Sequence, residues 1–371
     1  MNIPKLISAD SHVVEPPELW SGRMSGEYGE RTPHQVRMAK GDAWSFPGTS
    51  PFPFGLVQCG GLPPQEYRLW VHWEEVRKEA YDPAARLQSQ DRSGVRAEVL
   101  YPSPRIAIAI YTNDSDAGYQ MACVAAYNDW LSEHCALAPD RLIGLAMVPG
   151  VGLESAIEEA ERALRLPGIG GLLLNRYPAG GLRLSPQDDR FFNWCAAGGI
   201  PVHIHVGLAG SESGMPPQAN EFTGAFTGVY RFYDPPIRMS EMIYTGLLDR
   251  FPDLAIVWAE VDVGWVGYLM EQLDDRIERQ NPAERKALRH HPSEYFRKNF
   301  YYTVVKDAYG IRNRDAVGAD RIMWSSDFPH ATCDYPDFAS AIRKDFNGVP
   351  DDELHLMLAG NAARLYRLDA R

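Results

Sequence analysis

The sequence has no cluster of basic residues and no long apolar run. Its 37 lysines and arginines are outnumbered by 49 aspartates and glutamates, giving a formal net charge of -12. This acidic balance argues against a nucleic-acid-binding surface. No segment approaches the roughly 20 apolar residues of a membrane-spanning helix, and residues 1–10 lack the apolar core of a signal peptide. We therefore expect a cytoplasmic protein without a nucleic-acid or membrane partner.

The sequence is also poor in cysteine, with five in 371 residues. The number is odd and no two form a CxxC pair, which argues against a disulfide framework and against a zinc site made of thiolates. We expect most of them to be small buried hydrophobic residues. The cysteines are Cys59, Cys123, Cys135, Cys195 and Cys333.

Apolar segments alternate with amphipathic ones along most of the chain. The apolar segments are continuous, which is typical of parallel strands covered on both faces. Eight such segments, most followed by a helix, favour an α/β fold of the (β/α)8 TIM-barrel type over an open doubly wound sheet. The predicted strands are 6–10, 97–101, 142–148, 169–175, 200–206, 254–260, 300–305 and 322–327. The predicted helices are 114–138, 153–166, 189–197, 237–250, 265–280 and 308–317.

Two regions, 20–81 and 207–236, interrupt this alternation. The first is rich in glycine, proline and aromatic residues without a clear period, and the second is similar but shorter. Because long loops in compact domains are usually functional, we expect two insertions at the C-terminal face of the barrel. A surface excursion or an oligomer contact explains them nearly as well. Residues 351–360 predict a capped C-terminal helix, and no linker divides the single domain expected over 1–371.

Acidic residues and histidines stand at the ends of four predicted strands. The C-terminal ends of barrel strands face one mouth, so residues far apart in sequence can share a site. Oxygen and nitrogen ligands converging in a cleft are what a divalent metal needs. The residues are Asp10 and His12 on the first strand, His203 and His205 on the fifth, Glu260 on the sixth and Asp327 on the last, with His330 shortly after it.

Taken in order, these motifs resemble the amidohydrolase-related (amidohydrolase 2) superfamily. The resemblance is closer to the branch containing aminocarboxymuconate-semialdehyde decarboxylase and the non-oxidative hydroxybenzoate decarboxylases. It implies a distorted TIM barrel, a small-molecule substrate and a homodimer. The motifs are Asp10-Ser-His12-Val-Val-Glu15-Pro, Pro201-Val-His-Ile-His205, Ser326-Asp327-Phe-Pro-His330 and Gly360-Asn361-Ala-Ala-Arg364.

The resemblance also implies one catalytic divalent metal bound by Asp10, His12, His205 and Asp327. This mixed nitrogen and oxygen set suits zinc best, with manganese or iron as alternatives. The decarboxylases of this branch usually end the sixth strand with a histidine, where this chain has Glu260. That departure leaves the reaction open, because the histidine often serves in proton transfer.

Several residues have alternative interpretations. Asp10 and Asp327 would also fit as helix N-caps. His203 lies one layer deeper than His205, where it would be a hydrogen-bond donor behind the metal or a second ligand. Glu260 would bind metal, act as acid or base, or pair with an arginine. We predict Asp327, Glu260 and His203 as catalytic residues.

Four further residues are predicted to bind substrate. Asn175 and Arg176 end the fourth strand and suit an anionic group, although a surface loop explains them at least as well. His330 would bind a substrate carboxylate, orient Asp327 or face solvent, and Glu15 has the same ambiguity as Glu260. All four stand in or beside the motifs and strand ends described above.

The leading functional hypothesis is a metal-dependent lyase that removes CO2 from an unsaturated or aromatic carboxylic acid. The first alternative is a hydrolase of an ester, lactone, amide or C–C bond that uses a metal-activated water. A third interpretation is a non-catalytic barrel that binds a ligand or a partner subunit and keeps a metal site.

Overall fold

The computed structural model describes residues 1–112, 116–209, 232–282 and 287–368. Eight parallel strands form one sheet in the order β1-β5-β6-β7-β8-β9-β10-β11, and helices follow most of them, so the predicted barrel fold is confirmed. The strands are β1 (Leu6–His12), β5 (Val95–Tyr101), β6 (Leu142–Val148), β7 (Ile169–Leu174), β8 (Val202–His205), β9 (Ile256–Ala259), β10 (Phe300–Val304) and β11 (Ile322–Trp324). A separate sheet contains β2 (His34–Met38), β3 (Gly41–Ser45) and β4 (Phe52–Pro53).

Most of the helices in the described segments lie where the amphipathic periodicity predicts a helix. The predicted helix at 237–250 is two helices. The helices are α1 (Ser21–Tyr28), α2 (Pro83–Ser93), α3 (Pro104–Thr112), α4 (Ala117–Cys135), α5 (Leu153–Ala163), α6 (Asp189–Gly198), α7 (Asp234–Tyr244), α8 (Leu247–Arg250), α9 (Val266–Glu278), α10 (Pro292–Asn299), α11 (Ala308–Arg312), α12 (Phe338–Asp345), α13 (Asp351–His355) and α14 (Asn361–Leu365). Within these segments no helix has both the length and the apolar character needed to span a bilayer.

Backbone hydrogen bonds join the last strand region to the first and nearly close the barrel. The amide of Asp327 donates to the carbonyl of Asp10 at 3.0 Å, and the amide of His12 donates to the carbonyl of Phe328 at 2.7 Å. The amide of Ser326 donates to the hydroxyl of Ser8 at 2.8 Å. This closing seam places two predicted metal ligands on neighbouring segments at the same end of the barrel.

Five strands end earlier than the sequence predicts, and three of them lead into left-handed turns. The predicted strands 200–206, 254–260 and 322–327 stop at positions 205, 259 and 324. The chain then enters the left-handed region at Val206 (φ 58°), Glu260 (φ 56°) and Asp327 (φ 52°). Non-glycine residues rarely adopt this conformation, so an apolar pattern cannot reveal it. The prediction that Glu260 and Asp327 are the last residues of strands is therefore wrong, since both lie in the turns that follow.

The first predicted insertion is more ordered than its sequence suggests. Residues 20–81 contain α1 and the antiparallel β2–β4 sheet rather than an irregular loop. The amide of Gly60 donates to the carbonyl of Pro329 at 2.7 Å, and that of Ala331 donates to Leu56 at 3.0 Å. These bonds place the insertion beside the turn after β11, at the C-terminal face as predicted. Of the second insertion, 207–236, residues 210–231 lie outside the described segments.

Several helix ends differ from the predictions, among them those of the first predicted helix and of the C-terminal helix. The helix predicted at 114–138 begins at Ala117, where the Asp116 side chain accepts a bond from Tyr119 N at 3.0 Å, and residues 113–115 lie outside the described part of the chain. The C-terminal helix is present, but the residue before it is Pro350, which has no side-chain donor or acceptor, so the predicted side-chain cap is wrong. It continues through a π-helical turn, Leu356–Gly360, into α14.

A buried ion pair ties α2 to the mouth of the barrel. The Arg86 guanidinium donates to both oxygens of Glu98 in β5, at 2.6 and 3.1 Å. It also donates to the carbonyls of His12 at 2.9 Å and Phe328 at 3.2 Å. Arg86 and Glu98 are 1% and 3% exposed, so the guanidinium links β1, β5 and the turn after β11 without contact with bulk water.

We expect Arg86→Met to destabilise the protein by about 3–5 kcal/mol, because removing one partner leaves a buried charge uncompensated. Arg190→Met is the matched control, since Arg190 pairs with Glu154 on the surface with side chains 61% and 75% exposed. It should cost less than about 1 kcal/mol. Urea denaturation followed by circular dichroism measures both, and equal losses would contradict a special role for the buried pair.

Candidate metal centre

Six of the predicted residues converge at the mouth of the barrel. One ligand atom from each of Asp10, His12 and His205 lies within 4.8 Å of the other two. The same limit holds for a second group made of His12, Glu260, Asp327 and His330. His12 belongs to both groups, so residues from β1, the end of β8 and the turns after β9 and β11 form one cluster. The N-cap interpretation of Asp10 is wrong because Asp10 lies inside β1.

Four buried atoms of this cluster form no hydrogen bond within the described segments. They are Oδ1 of Asp10, Nε2 of His12, Nε2 of His205 and Oδ1 of Asp327. Nε2 of His12 lies 3.6 Å from Oδ1 of Asp10 and 3.5 Å from Oδ1 of Asp327. Nε2 of His205 lies 3.8 Å from Oδ1 of Asp10. Buried polar atoms normally have partners, so four atoms without a hydrogen bond that these separations connect through His12 and Asp10 point to a missing common partner.

The separations suit a metal ion. Atoms bound to one ion at about 2.1 Å in a tetrahedral arrangement lie about 3.4 Å apart, close to the 3.5–3.8 Å found here. Two imidazole nitrogens and two carboxylate oxygens form a donor set that zinc accepts and that manganese also tolerates. The residues present therefore fit a divalent metal.

The electrostatics of the cluster agree with this fit. Burial, then the carboxylates of Asp327 and Glu260, raise the pKa of Asp10 well above its usual value. Burial lowers the pKa of His12 well below its usual value and that of His205 to about 4. Both imidazoles are therefore neutral near pH 7, with a lone pair available for a metal. A divalent cation would also offset the repulsion among the carboxylates.

Other hydrogen bonds fix the orientation of the candidate ligands. Nδ1 of His12 lies 2.8 Å from the carbonyl of Pro102, and because a carbonyl only accepts, Nδ1 carries the proton and Nε2 is left unprotonated. The hydroxyl of Thr332 donates to Oδ2 of Asp327. Oδ1 of Asp327 therefore faces the cluster while its other oxygen is bound.

His330 lies against two of the candidate ligands. Its ring stacks on His12, with ring centres 4.3 Å apart, and its Nδ1 is 2.9 Å from Oδ1 of Asp327, at an angle unsuited to a hydrogen bond. Burial opposes protonation of His330, but the Asp327 carboxylate outweighs burial and raises the pKa of His330. The alternative that His330 faces solvent is wrong, and its contacts favour a role in orienting Asp327.

Glu260 contributes a third carboxylate. Its Oε2 lies 3.4 Å from Nε2 of His205, and its side chain is 15% exposed. The amide of Glu260 donates to the hydroxyl of Thr303 at 2.7 Å. The left-handed turn at Glu260 thus directs a carboxylate into the cluster from the end of β9.

His203 does not belong to this cluster. Its Nδ1 donates to the carbonyl of Leu172 at 3.0 Å, and its Nε2 accepts from the hydroxyl of Tyr366 at 2.8 Å. Burial lowers its pKa to about 3. A Cβ at Gly171 would lie 2.6 Å from the ring, so this glycine makes room for the imidazole. His203 lies one layer deeper than His205 as predicted, but its occupied nitrogens contradict the predicted catalytic or ligand role.

The three remaining predicted residues are not members of the two ligand groups. Both oxygens of Glu15 are bound by Ser103, one by its amide at 2.9 Å and one by its hydroxyl at 2.5 Å. Burial raises the pKa of Glu15 to about 7. Asn175 is buried just after β7, and its side-chain nitrogen has no hydrogen-bond partner among the described residues. Arg176 packs against Gly150. Glu15 thus joins two loops through Ser103.

Sequence analysis missed four residues that support the cluster: Arg86, Glu98, Thr303 and Thr332. Glu98 carries a signal, because it is the single charge in the predicted apolar strand 97–101. Thr303 carries none, because threonine is common in strands. Arg86 lies on an amphipathic helix where an exposed position is the ordinary expectation.

A third group with suitable ligand spacing, outside the cluster at the barrel mouth, contains Asp42, His72 and Glu74. Its acceptors are already in use. Oδ2 of Asp42 accepts the amide of Trp73 at 2.7 Å, and Oε1 of Glu74 accepts from the Arg37 guanidinium at 2.8 Å. The Arg37 guanidinium already supplies a positive charge to this group, unlike the cluster at the barrel mouth.

Comparison with known proteins places the chain among related enzymes. A family model described as Amidohydrolase matches residues 68–368. A gamma-resorcylate decarboxylase of Rhizobium radiobacter is 26% identical over 340 residues, covering 86% of this chain and 96% of the relative. The crystal structure of an amidohydrolase from Mycobacterium avium subsp. paratuberculosis K-10 has a TM-score of 0.76 at 19% identity, covering 98% of each chain.

A second solved structure is a dihydroxybenzoic acid decarboxylase from Polaromonas sp. JS666 with bound manganese and the inhibitor 2-nitroresorcinol. It has a TM-score of 0.66 at 19% identity and covers 99% of this chain and 98% of that one. The two structural matches show a shared fold. Because the family model spans most of the sequence, this chain belongs to the amidohydrolase family.

Proposed function

We propose that this chain is a metal-dependent non-oxidative decarboxylase of an aromatic or unsaturated carboxylic acid. The observation that carries the proposal is the convergence of four unpaired buried ligand atoms, from Asp10, His12, His205 and Asp327. The matching relative from Rhizobium radiobacter, a gamma-resorcylate decarboxylase, supports this reaction class. A hydroxylated benzoate is accordingly the first substrate class to test.

Asp10, His12, His205 and Asp327 would hold the metal. We propose zinc on the basis of the donor set, with manganese as the first alternative because the Polaromonas enzyme was solved with it. A bound divalent ion supplies a Lewis acid that withdraws charge from the substrate carboxylate and a neighbouring oxygen. The protein's own part is to orient the acid and to deliver a proton.

Decarboxylation requires one proton at the carbon that loses CO2. When the C–C bond breaks, its electron pair stays on that carbon, and an acid must supply the proton that completes the product. We assign the proton relay to Asp327, whose Oδ1 lies 2.9 Å from Nδ1 of His330. Glu260 occupies the position where a family histidine was expected, and we assign it a role as acid or base. His203 has no part in this step.

We propose that His330, Asn175 and Arg176 bind the substrate. The side-chain nitrogen of Asn175 is a buried donor without a hydrogen-bond partner among the described residues, and it stands just after β7, beside the strand that carries His205. A substrate oxygen would satisfy it. Glu15 is left out because Ser103 occupies both of its oxygens.

The alternative function is hydrolysis at the same cluster. Glu260 favours it, since a carboxylate beside a metal suits a general base for water activation. Substrates would be esters, lactones, amides or activated C–C bonds. Our wider expectations, a homodimer and a cytoplasmic location, rest on the family resemblance and on the sequence, and light scattering tests the first.

The reaction is tested with protein loaded separately with Zn²⁺ and Mn²⁺. We expect about one ion per chain by elemental mass spectrometry. Incubation with dihydroxybenzoates should then release CO2 and the matching phenol in equal amounts, measured by headspace analysis and chromatography. Dialysis against a chelator should abolish turnover, and adding back the metal should restore it.

Matched incubations with aryl esters and lactones serve as the control for this experiment. Ester or lactone turnover without CO2 from any acid would replace the decarboxylase proposal with the hydrolase alternative. Absence of bound metal after reconstitution would contradict both.

The ligand assignment is tested on two histidines of one strand. His205→Gln should lower metal affinity at least about 100-fold, because it removes a proposed ligand. His203→Gln should keep the metal but lower the melting temperature, because His203 bonds Leu172 and Tyr366 in the core. Competition with a chromogenic chelator and thermal unfolding measure the two effects. A folded His203→Gln protein that loses its metal would reverse the assignment.

Glu260→Gln separates proton transfer from metal binding. We expect kcat to fall about 100-fold or more, because the amide cannot exchange a proton with the substrate, while metal content stays unchanged. Glu271→Gln, an exposed position in α9, is the matched control and should leave kcat unaltered. Retention of full activity in Glu260→Gln would remove Glu260 from the mechanism.

A further inference from the structure

We infer that Thr303 is a positioning residue whose hydroxyl orients the Asp10 carboxylate for metal binding and holds the backbone of Glu260, the proposed acid or base. The inference rests on the proposed metal site. Thr303 lies in β10 and is fully buried. Its hydroxyl is 3.3 Å from Oδ2 of Asp10 and 2.7 Å from the amide nitrogen of Glu260.

The direction of these two bonds follows from the groups involved. The amide of Glu260 only donates, so the Thr303 hydroxyl accepts there and its single proton points to Asp10. Oδ2 of Asp10 is therefore occupied. Oδ1 is left facing Nε2 of His12 and Nε2 of His205, at 3.6 and 3.8 Å. One hydroxyl thus decides which carboxylate oxygen faces the metal position.

The same hydroxyl supports the turn that presents Glu260. Strand β9 pairs with β10 only as far as Trp258 and Tyr302. The next segment is left-handed at Glu260 and at Asp262, with φ of 56° and 54°. Thr303 holds this segment twice, since its hydroxyl binds the amide of Glu260 and its carbonyl accepts the amide of Asp262 at 3.2 Å.

A serine would keep the hydroxyl and lose one methyl group, whereas a valine would keep the shape and lose the hydroxyl. In the valine variant, Oδ2 of Asp10 and the amide of Glu260 would both be buried without this partner. Removing a hydrogen-bond partner of a metal ligand typically lowers metal affinity about 10–100-fold. The hydroxyl, rather than the packing of the side chain, is therefore the feature to test.

The experiment compares Thr303→Val, Thr303→Ser and Ser132→Ala with the wild-type chain. Ser132 is a matched control, because it is a buried hydroxyl that bonds the carbonyl of Pro167 instead of a cluster residue. Affinities for Zn²⁺ and Mn²⁺ are measured by chelator competition on metal-free protein. We expect Thr303→Val to bind about 10–100-fold more weakly, with Thr303→Ser and Ser132→Ala within about threefold of wild type.

Hydrogen exchange of the peptide containing Glu260 gives a second readout in metal-free protein. Exchange at this amide should be faster in Thr303→Val and near wild type in Thr303→Ser. Wild-type metal affinity in a folded Thr303→Val protein would overturn the inference and leave the proposed function intact. Equal loss in the valine and serine variants would also overturn it, because packing would then be the cause. A wild-type chain that binds no metal would overturn the proposed site and this inference together.

Discussion

The barrel brings the carboxylates of Asp10, Glu260 and Asp327 together in a mostly buried cluster. The free-energy cost of burying their negative charge is the constraint that governs the site. Burying an ionised group costs several kcal/mol unless a partner of opposite charge is present. The raised pKa of Asp10 expresses this cost, and burial is its largest cause, followed by the other two carboxylates. His12 and His205 do not relieve it, because burial keeps them neutral. A divalent cation satisfies the carboxylates and the neutral imidazoles at once.

The turns that carry these groups are also strained. Val206, Glu260 and Asp327 adopt left-handed conformations, which cost of order 1–3 kcal/mol each for residues other than glycine. Such strain persists only where the surroundings hold it, and here the supports are specific. Thr303 binds the amide of Glu260, and Arg86 binds the carbonyl of Phe328, next to Asp327. The buried polar groups around the mouth therefore hold the strand ends in the geometry that the ligands require.

The sequence predicted the strands and most of the cluster because both leave local signals. Continuous apolar segments mark buried parallel strands, and a charged residue or histidine at their ends stands out. Thr303, Arg86 and Glu98 escaped prediction because their roles depend on which strands become neighbours across the barrel, and β1 pairs with β5 through an irregular register. His203 shows the opposite error. It has the same local signal as His205, but its depth in the barrel gives it the core partners Leu172 and Tyr366. The small β2–β4 sheet was missed because its strands are short and β4 contains a proline.

The proposed metal ligands and the closure of the barrel are one structural feature. Asp327 donates its amide to the carbonyl of Asp10, and His12 donates to the residue after Asp327, so the bonds that close the sheet also set the ligand distances. The backbone of Glu260 is also held in place, because its amide donates a hydrogen bond to the hydroxyl of Thr303 in β10. Under the proposed function, the glutamate that stands where the family resemblance predicts a histidine is therefore a change in the reacting groups and not in a variable loop.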